Sequence, residues 1–370
     1  MNLSYWEHKT WISDIDFTIV GSGIFGLNCA LELRKRHPKA NILVLEKGVL
    51  PQGASTKNAG FACFGSISEI LSDLKTHSEE ALVSLVSDRW KGIQSLREIL
   101  GDEAIGYQQH GGHELFLKQD AEIYESCVKN MGSVNKLLAP IFKKAVFETS
   151  ENRFGFDGIE QQYISHTLEG QIDTGKMMLS LVRLVQKSNI QILNSITVEE
   201  FAENNQGVAV KTNLFEFNTK KILFATNGFA NTLLAEKVLP ARAQVIITEP
   251  IKNLPIKGTF HLQEGYYYFR NIDDRILLGG GRNLDFEAEE TTQFGTTPVV
   301  LHKLEELLQT VILPHTPFEI AYSWSGIMGV GSQKKPIVKQ ISNHTACGIR
   351  LGGMGIAIGA TAGQQLARIF

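Results

Sequence analysis

Two kinds of apolar spacing alternate along the chain. Phe17–Val20 is a short, mostly apolar run that stops at Gly21, as a buried strand does. Ile24, Leu27, Ala30, Leu31 and Leu33 then recur at helical spacing over 24–36, and Pro38 follows. Asn41–Glu46 is a second apolar run. Strand, glycine-rich turn, helix and strand make a βαβ unit. Amphipathic helices are predicted over 79–100 and 120–139, around a strand at His113–Lys118. A further helix is predicted over 173–188, with Asp173 as its N-cap. Val198 falls on a short strand. Lys221–Ala225, Val245–Thr248, Tyr266–Arg270 and Arg275–Leu278 read as strands, 298–310 as a helix, and Met354–Phe370 as a glycine-led terminal helix. This order predicts an α/β domain with a second, sheet-based α+β domain.

Composition narrows the function. The 370 residues suffice for two domains or one large one. A net charge of −3 leaves no basic excess to neutralise phosphates, so no nucleic-acid partner is expected. With 20% charged and 43% hydrophobic residues, the chain can build a core. No apolar run approaches the ~18 residues of a membrane span, so no integral membrane segment is expected. The N-terminal MNLSYWEHKTW lacks a signal-peptide core. The four cysteines form no C-x-x-C pair and have no histidine cluster, so neither a disulfide framework nor a metal site is expected. Scattered cysteines suit a reducing compartment, and a cytoplasmic location is the expectation. Glycine changes the picture more. Over half of the 34 glycines fall within 21–65, 279–281, 326–331 and 348–363.

The first group carries chemistry. Gly21-Ser22-Gly23-Ile24-Phe25-Gly26 fits G-x-G-x-x-G between a strand and a helix. Glu46, followed by Lys47, stands 20 residues after Gly26 at the end of the second strand, where a ribose-binding acid belongs. Gly21 permits the tight turn, Gly23 the approach of a pyrophosphate, and Gly26 the packing of helix on strand. The helix N-terminus offers free N–H groups to phosphate.

The stretch Gln52–Gly60, QGASTKNAG, followed by FACFG, resembles the glycine oxidase/sarcosine oxidase/D-amino-acid oxidase family of FAD enzymes. In that family a matching stretch runs along the pyrophosphate and the flavin edge, which implies such a role for Ala54, Ser55, Lys57, Asn58, Ala59 and Gly60. Later motifs are similar to the family's in order. They are Leu223–Gly228 (with Ala225, Thr226 and Asn227), Gly279–Gly281, Trp324–Ile327 (with Gly326), and Gly348–Ile358 (with Gly352, Gly353, Met354, Gly355 and Ile356). Val198 would lie against adenine. The resemblance implies a Rossmann-like FAD-binding domain from 1–78, 160–237 and 321–370. A discontinuous, mainly antiparallel-sheet substrate domain would take 79–159 and 238–320. It also implies noncovalent FAD, because Cys63 and Cys347 fit no attachment pattern, and oxidation of the C–N bond of a small amine or amino acid by hydride transfer to flavin N5. An N-substituted glycine oxidase or D-amino-acid dehydrogenase is an alternative. A tRNA-modifying or non-catalytic flavoprotein is an alternative of another class.

The chain departs from the family where relatives carry a carboxylate-binding Arg: Met328 and Met354 stand there. Gln333-Lys334-Lys335-Pro336 also lacks the usual turn acid. These changes suit an amine without an adjacent carboxylate, as in the gamma-glutamylputrescine oxidase-like branch, whose W-x-G-x-x-G-V pattern is similar to Trp324–Val330. Arg270 or Arg282 remains available to a carboxylate from another direction. Period-2 alternation sends Tyr266 and Tyr268 to one face, as a candidate substrate wall. Leu277 falls where some relatives carry a lysine that aids reaction with oxygen, which leaves the acceptor as oxygen or another oxidant. No proton-transfer residue is assigned; His110, His113 and His261 are candidates by residue type only.

Overall fold

The computed structural model describes residues 2–370. The βαβ unit forms as read: strand Ile15–Val20, helix Ile24–Arg36 and strand Ile42–Leu45. The two strands pair in parallel, and the sheet continues in parallel through Gln191–Leu193 on one side and Glu216–Phe224 and Thr345–Ile349 on the other. Antiparallel strands Val198–Asn204, Gly207–Thr212 and Ile337–Gln340 complete eight strands. Ile15–Val20, Ile42–Leu45 and Thr345–Ile349 are covered on both faces, hence their nearly unbroken apolar runs, whereas Glu216–Phe224 alternates exposed and buried residues before its buried end.

Two glycines let the terminal helix Gly355–Ala367 press against helix Ile24–Arg36. A Cβ at Gly359 would lie 2.5 Å from Ile24 Cγ2, and one at Gly363 2.5 Å from the Phe25 carbonyl oxygen. On the terminal helix's other flank, Gly92 of helix Glu79–Leu100 comes so near that a Cβ would sit 1.9 Å from the Ala357 carbonyl. The expected N-cap at Asp173 is present, its side chain accepting from Lys176 N at 2.9 Å ahead of helix Thr174–Lys187.

The second sheet also has eight strands, running in space from Ile320–Val330 through Leu239–Thr248, Arg275–Gly280, Tyr267–Ile272, Thr259–Leu262, Gly112–Leu115 and Gln162–His166 to Glu148–Glu151. It is antiparallel except where Thr259–Leu262 meets Gly112–Leu115. A division at 160 and 321 would assign Gln162–His166 and Ile320–Val330 to the first domain. By hydrogen bonding both strands lie in the second sheet: Gln162–His166 pairs with Gly112–Leu115 and Glu148–Glu151, and Ile320–Val330 pairs with Leu239–Thr248 at the edge. Tyr267 and Phe269 turn into a core with helix Pro298–Leu307, and Phe269 stacks on Phe260 with ring centroids 4.5 Å apart. The opposite face turns to the parallel domain, where Leu277 and Val245 pack on Ala59.

Candidate active site

One continuous cavity of about 1310 Å³ runs between the two sheets. At one end the backbone does the work. Gly21, at φ +109°, turns the chain out of the first strand, and its N–H donates to the Leu45 carbonyl at 2.8 Å. A Cβ on Gly26 would be 2.0 Å from the Gly21 carbonyl oxygen, so the helix seats directly on the turn. A Cβ on Gly23 would be 2.8 Å from Ser55 Oγ, which itself accepts from Ile24 N–H at 2.9 Å. Glu46 is buried. Its Oε1 accepts from Gly48 N at 2.9 Å, and its Oε2 from Ser22 N and Oγ at 3.1 and 2.6 Å. These donors fix the carboxylate at the cavity wall.

The next stretch is a loop held from several sides. Asn58 Nδ2 donates to the Ser55 carbonyl at 2.8 Å, and its Oδ1 accepts from Gly60 N at 2.9 Å and Thr174 Oγ1 at 3.0 Å. Trp324 Nε1 donates to the Lys57 carbonyl at 2.9 Å. Arg270 locks the loop's end: its guanidinium donates to the carbonyls of Ala59 and Ile172, the latter at 2.9 Å. Burial lowers its pKa to about 10. Facing this loop, Gly352 and Gly353 adopt φ of +58° and +80°, and the terminal helix then begins with no side-chain cap at Met354. Its first-turn N–H groups, at Gly355 and Ile356, line the cavity.

Side chains form the far end. Tyr266, Tyr268, Met328 and Met354 line it, as do Phe61, Cys63, Glu69 and His261. Behind this wall lies an ionic cluster. His261 Nε2 stands 2.8 Å from Glu169 Oε1, and His166 Nε2 stands 3.1 Å from Glu169 Oε2, all three side chains being buried. Burial works against the Glu169 charge, but the two histidines hold its pKa well below the usual carboxylate range. Burial likewise opposes a charged His261, yet the Glu169 charge and hydrogen bond raise it to about 9. Glu114, bonded to the Ser68 hydroxyl and amide, is pushed up to about 7 by burial. Burial also drives the Cys63 thiol up. Cys63, Glu169 and His261 bring ligand-type atoms within 4.8 Å of one another, but the His261–Glu169 separation is that of a hydrogen bond.

A family model described as FAD dependent oxidoreductase matches residues 16–369. The chain belongs to this family. A probable oxidoreductase, OrdL, of Haemophilus influenzae is 23% identical over 381 residues, covering 97% of this chain and 83% of that protein. Among solved structures, glycine oxidase from Geobacillus kaustophilus superposes with a TM-score of 0.74 at 18% identity, over 95% of this chain and 93% of that one. L-Proline dehydrogenase from P. horikoshii gives 0.74 at 17% identity, over 96% and 93%. At such identities the likeness is one of fold.

FAD is therefore the cofactor of this enzyme, and the cavity residues fit it. Gly23 leaves room that any Cβ would fill, and the Thr226 hydroxyl on the cavity wall is buried without a partner. Two helix N-termini, at Ile24 and Gly355, open on the same space. Of the residues expected from the sequence to touch cofactor or substrate, all but Gly26 and Arg270 line the cavity. Gly26 serves helix packing. The Arg270 guanidinium donates to backbone carbonyls and does not line the cavity. Of the three candidate histidines only His261 lines the cavity. His110 is exposed, and His113 is buried behind the sheet with Nδ1 2.7 Å from Ser165 Oγ. Cys63, from the FACFG stretch, also lines the cavity, as do Glu69 and Phe294, which no motif marks.

Proposed function

We propose that the enzyme oxidises the C–N bond of a small amine or amino acid to an imine that water hydrolyses. Bound FAD supplies the hydride acceptor. The observation that carries this reading is the continuity of the cavity: the dinucleotide cradle opens directly into a compartment walled by Tyr266, Tyr268, Met328 and Met354. The names of the two structural neighbours, an oxidase of glycine and a dehydrogenase of proline, support the same reaction class. The aromatic wall orients a small substrate and offers a π-face to an amine. The methionines exclude water and adapt to substrate shape. The uncapped helix start at Met354 presents N–H groups and a positive dipole end to negative charge.

Leu277 is buried against Ala59 and Val245 and brings no charge near the flavin-edge loop. That favours an acceptor other than oxygen. A panel of amines and amino acids mixed anaerobically with the flavin-loaded enzyme tests the proposal: at least one bleaches the flavin absorbance, and a properly loaded enzyme that none bleaches refutes it. Repeating the reaction in air separates oxidase from dehydrogenase. Acid precipitation should leave the yellow colour in the supernatant, and colour in the pellet would refute noncovalent attachment.

A further inference from the structure

Met328 and Met354 put apolar groups on the cavity wall, and Arg270 is consumed by backbone carbonyls. Of the other cavity cations, Lys47 lies beside Glu46 at the dinucleotide end, and Lys334 is paired with Asp73 at 2.6 Å. Lys57 lies over the Phe294 ring, and Arg282 spreads over Tyr266 and the half-exposed Phe286. His261 differs from all of these. It is 6% exposed, lines the cavity from strand Thr259–Leu262, and stands opposite Tyr268 in the antiparallel register. Its Nε2 is committed to Glu169 at 2.8 Å, and Nδ1 has no hydrogen-bond partner among the described residues. Glu169 cannot swing away: it also holds His166, and Gly112 packs so closely that a Cβ there would lie 2.3 Å from Glu169 Oε2.

We propose that His261 is the carboxylate anchor of this enzyme, donating Nδ1–H to the carboxylate of a small amino-acid substrate while Glu169 holds Nε2. The proposal rests on the C–N oxidation reading and narrows its substrate class to amines that carry a carboxylate. A fixed acid on Nε2 sets the ring's orientation, as a buried aspartate orients a catalytic histidine; Nδ1 donates when the ring is the imidazolium, which the Glu169 carboxylate beside it favours. In a desolvated wall, such a charge-assisted bond is about twice as strong as a neutral one.

The groups that face the ring set its pH dependence. They are Glu169, His166 at the end of strand Gln162–His166, Glu69 on helix Ile67–Leu74, Glu114 on strand Gly112–Leu115, and Cys63 and Tyr268 beside it, with His113 acting from behind the sheet. The acids dominate and favour the imidazolium, which persists to about pH 9. Carboxylate affinity therefore falls as pH rises through that value.

The test is titration of the FAD-loaded enzyme with acetate and benzoate, and with acetamide and benzamide as uncharged counterparts, followed by the visible flavin spectrum. The wild type should bind the carboxylates, with a Kd that rises about tenfold between roughly pH 7 and 10, while amide binding stays flat. His261→Asn should weaken carboxylate binding about tenfold near pH 7 and abolish its pH dependence. Glu169→Gln should shift the loss to lower pH, and Arg282→Gln should leave binding within about twofold. Unchanged carboxylate binding in His261→Asn, loss only in Arg282→Gln, or no spectral response of the wild type to any carboxylate overturns the anchor. Should His261→Asn fail to retain FAD, the wild-type profile decides, since pH-independent carboxylate binding also overturns it. This readout needs no turnover, so it fails or succeeds separately from the amine panel.

Discussion

The two ends of the cavity are built by opposite means. The proposed dinucleotide end is made mostly of backbone: glycines at close approach, two helix starts and the buried acid Glu46. The proposed substrate end is made of side chains: two tyrosines, two methionines and a histidine braced by a buried glutamate. Backbone recognition tolerates almost no added atom, because the turn itself is the binding surface. Side-chain recognition tolerates exchange, provided that buried charges keep their partners. A scaffold divided in this way keeps one cofactor while its substrate changes.

Substitutions at each end put that contrast at risk, and the largest effect should come from the braced pair. Glu169→Leu leaves His261 and His166 buried without the carboxylate they share and should destabilise the fold by about 3–5 kcal/mol near neutral pH. The sign follows from the two shifts. Glu169, held below its ordinary 4.5, stabilises above that value and loses its contribution as pH falls through the lowered pKa. His261, raised from 6.5 to about 9, stabilises fully below 6.5 and loses its contribution as pH rises through 9. The gap between wild type and variant, read from denaturant melts, should be widest from about pH 5 to 7 and should close above about pH 9. A gap of constant size across pH would mean that the pair is not charged.

Gly26→Ala comes next. Its Cβ would meet the Gly21 carbonyl at 2.0 Å, so helix and turn must part, at about 2–3 kcal/mol, and the protein should purify without flavin. A yellow, fully loaded variant would show that the turn gives way cheaply. Glu46→Gln removes the acceptor charge but keeps the shape, so FAD affinity by fluorescence titration should fall only about tenfold. Undiminished affinity would count against a role on the ribose. At the substrate end, Met328→Ala should change the KM of whichever amine bleaches the flavin and leave FAD affinity within about 0.5 kcal/mol. Equal damage to FAD binding would erase the contrast between the two ends.

The same contrast explains what could be read in advance. The backbone end is local: Gly21, Gly23, Gly26 and Glu46 lie in one βαβ unit whose apolar spacing declares strand, helix and strand. The loop at 52–60 and the glycine-led terminal helix are likewise short contiguous patterns. Tyr266 and Tyr268 were legible as a wall because strand alternation is local too. The braced histidine was not. His261 and Glu169 lie 92 residues apart, and they meet only because strand Thr259–Leu262 runs parallel to Gly112–Leu115, which in turn pairs with Gln162–His166. No spacing rule encodes that adjacency. Arg270 misled for a related reason: a strand-end arginine looks free until the loop carbonyls of Ala59 and Ile172 close on it.

The packing of Gly359 and Gly363 onto the first helix bears on how the molecule is made. The turn at 21–26 and the helix Gly355–Ala367 stand far apart in the chain, so the contact between them is among the least local in the fold. Until it closes, the first helix has no cover over Ile24 and Phe25, and the cavity has no far side. A partly folded chain in which that contact is still open cannot hold the flavin, so the appearance of bound-flavin fluorescence during refolding times its closure.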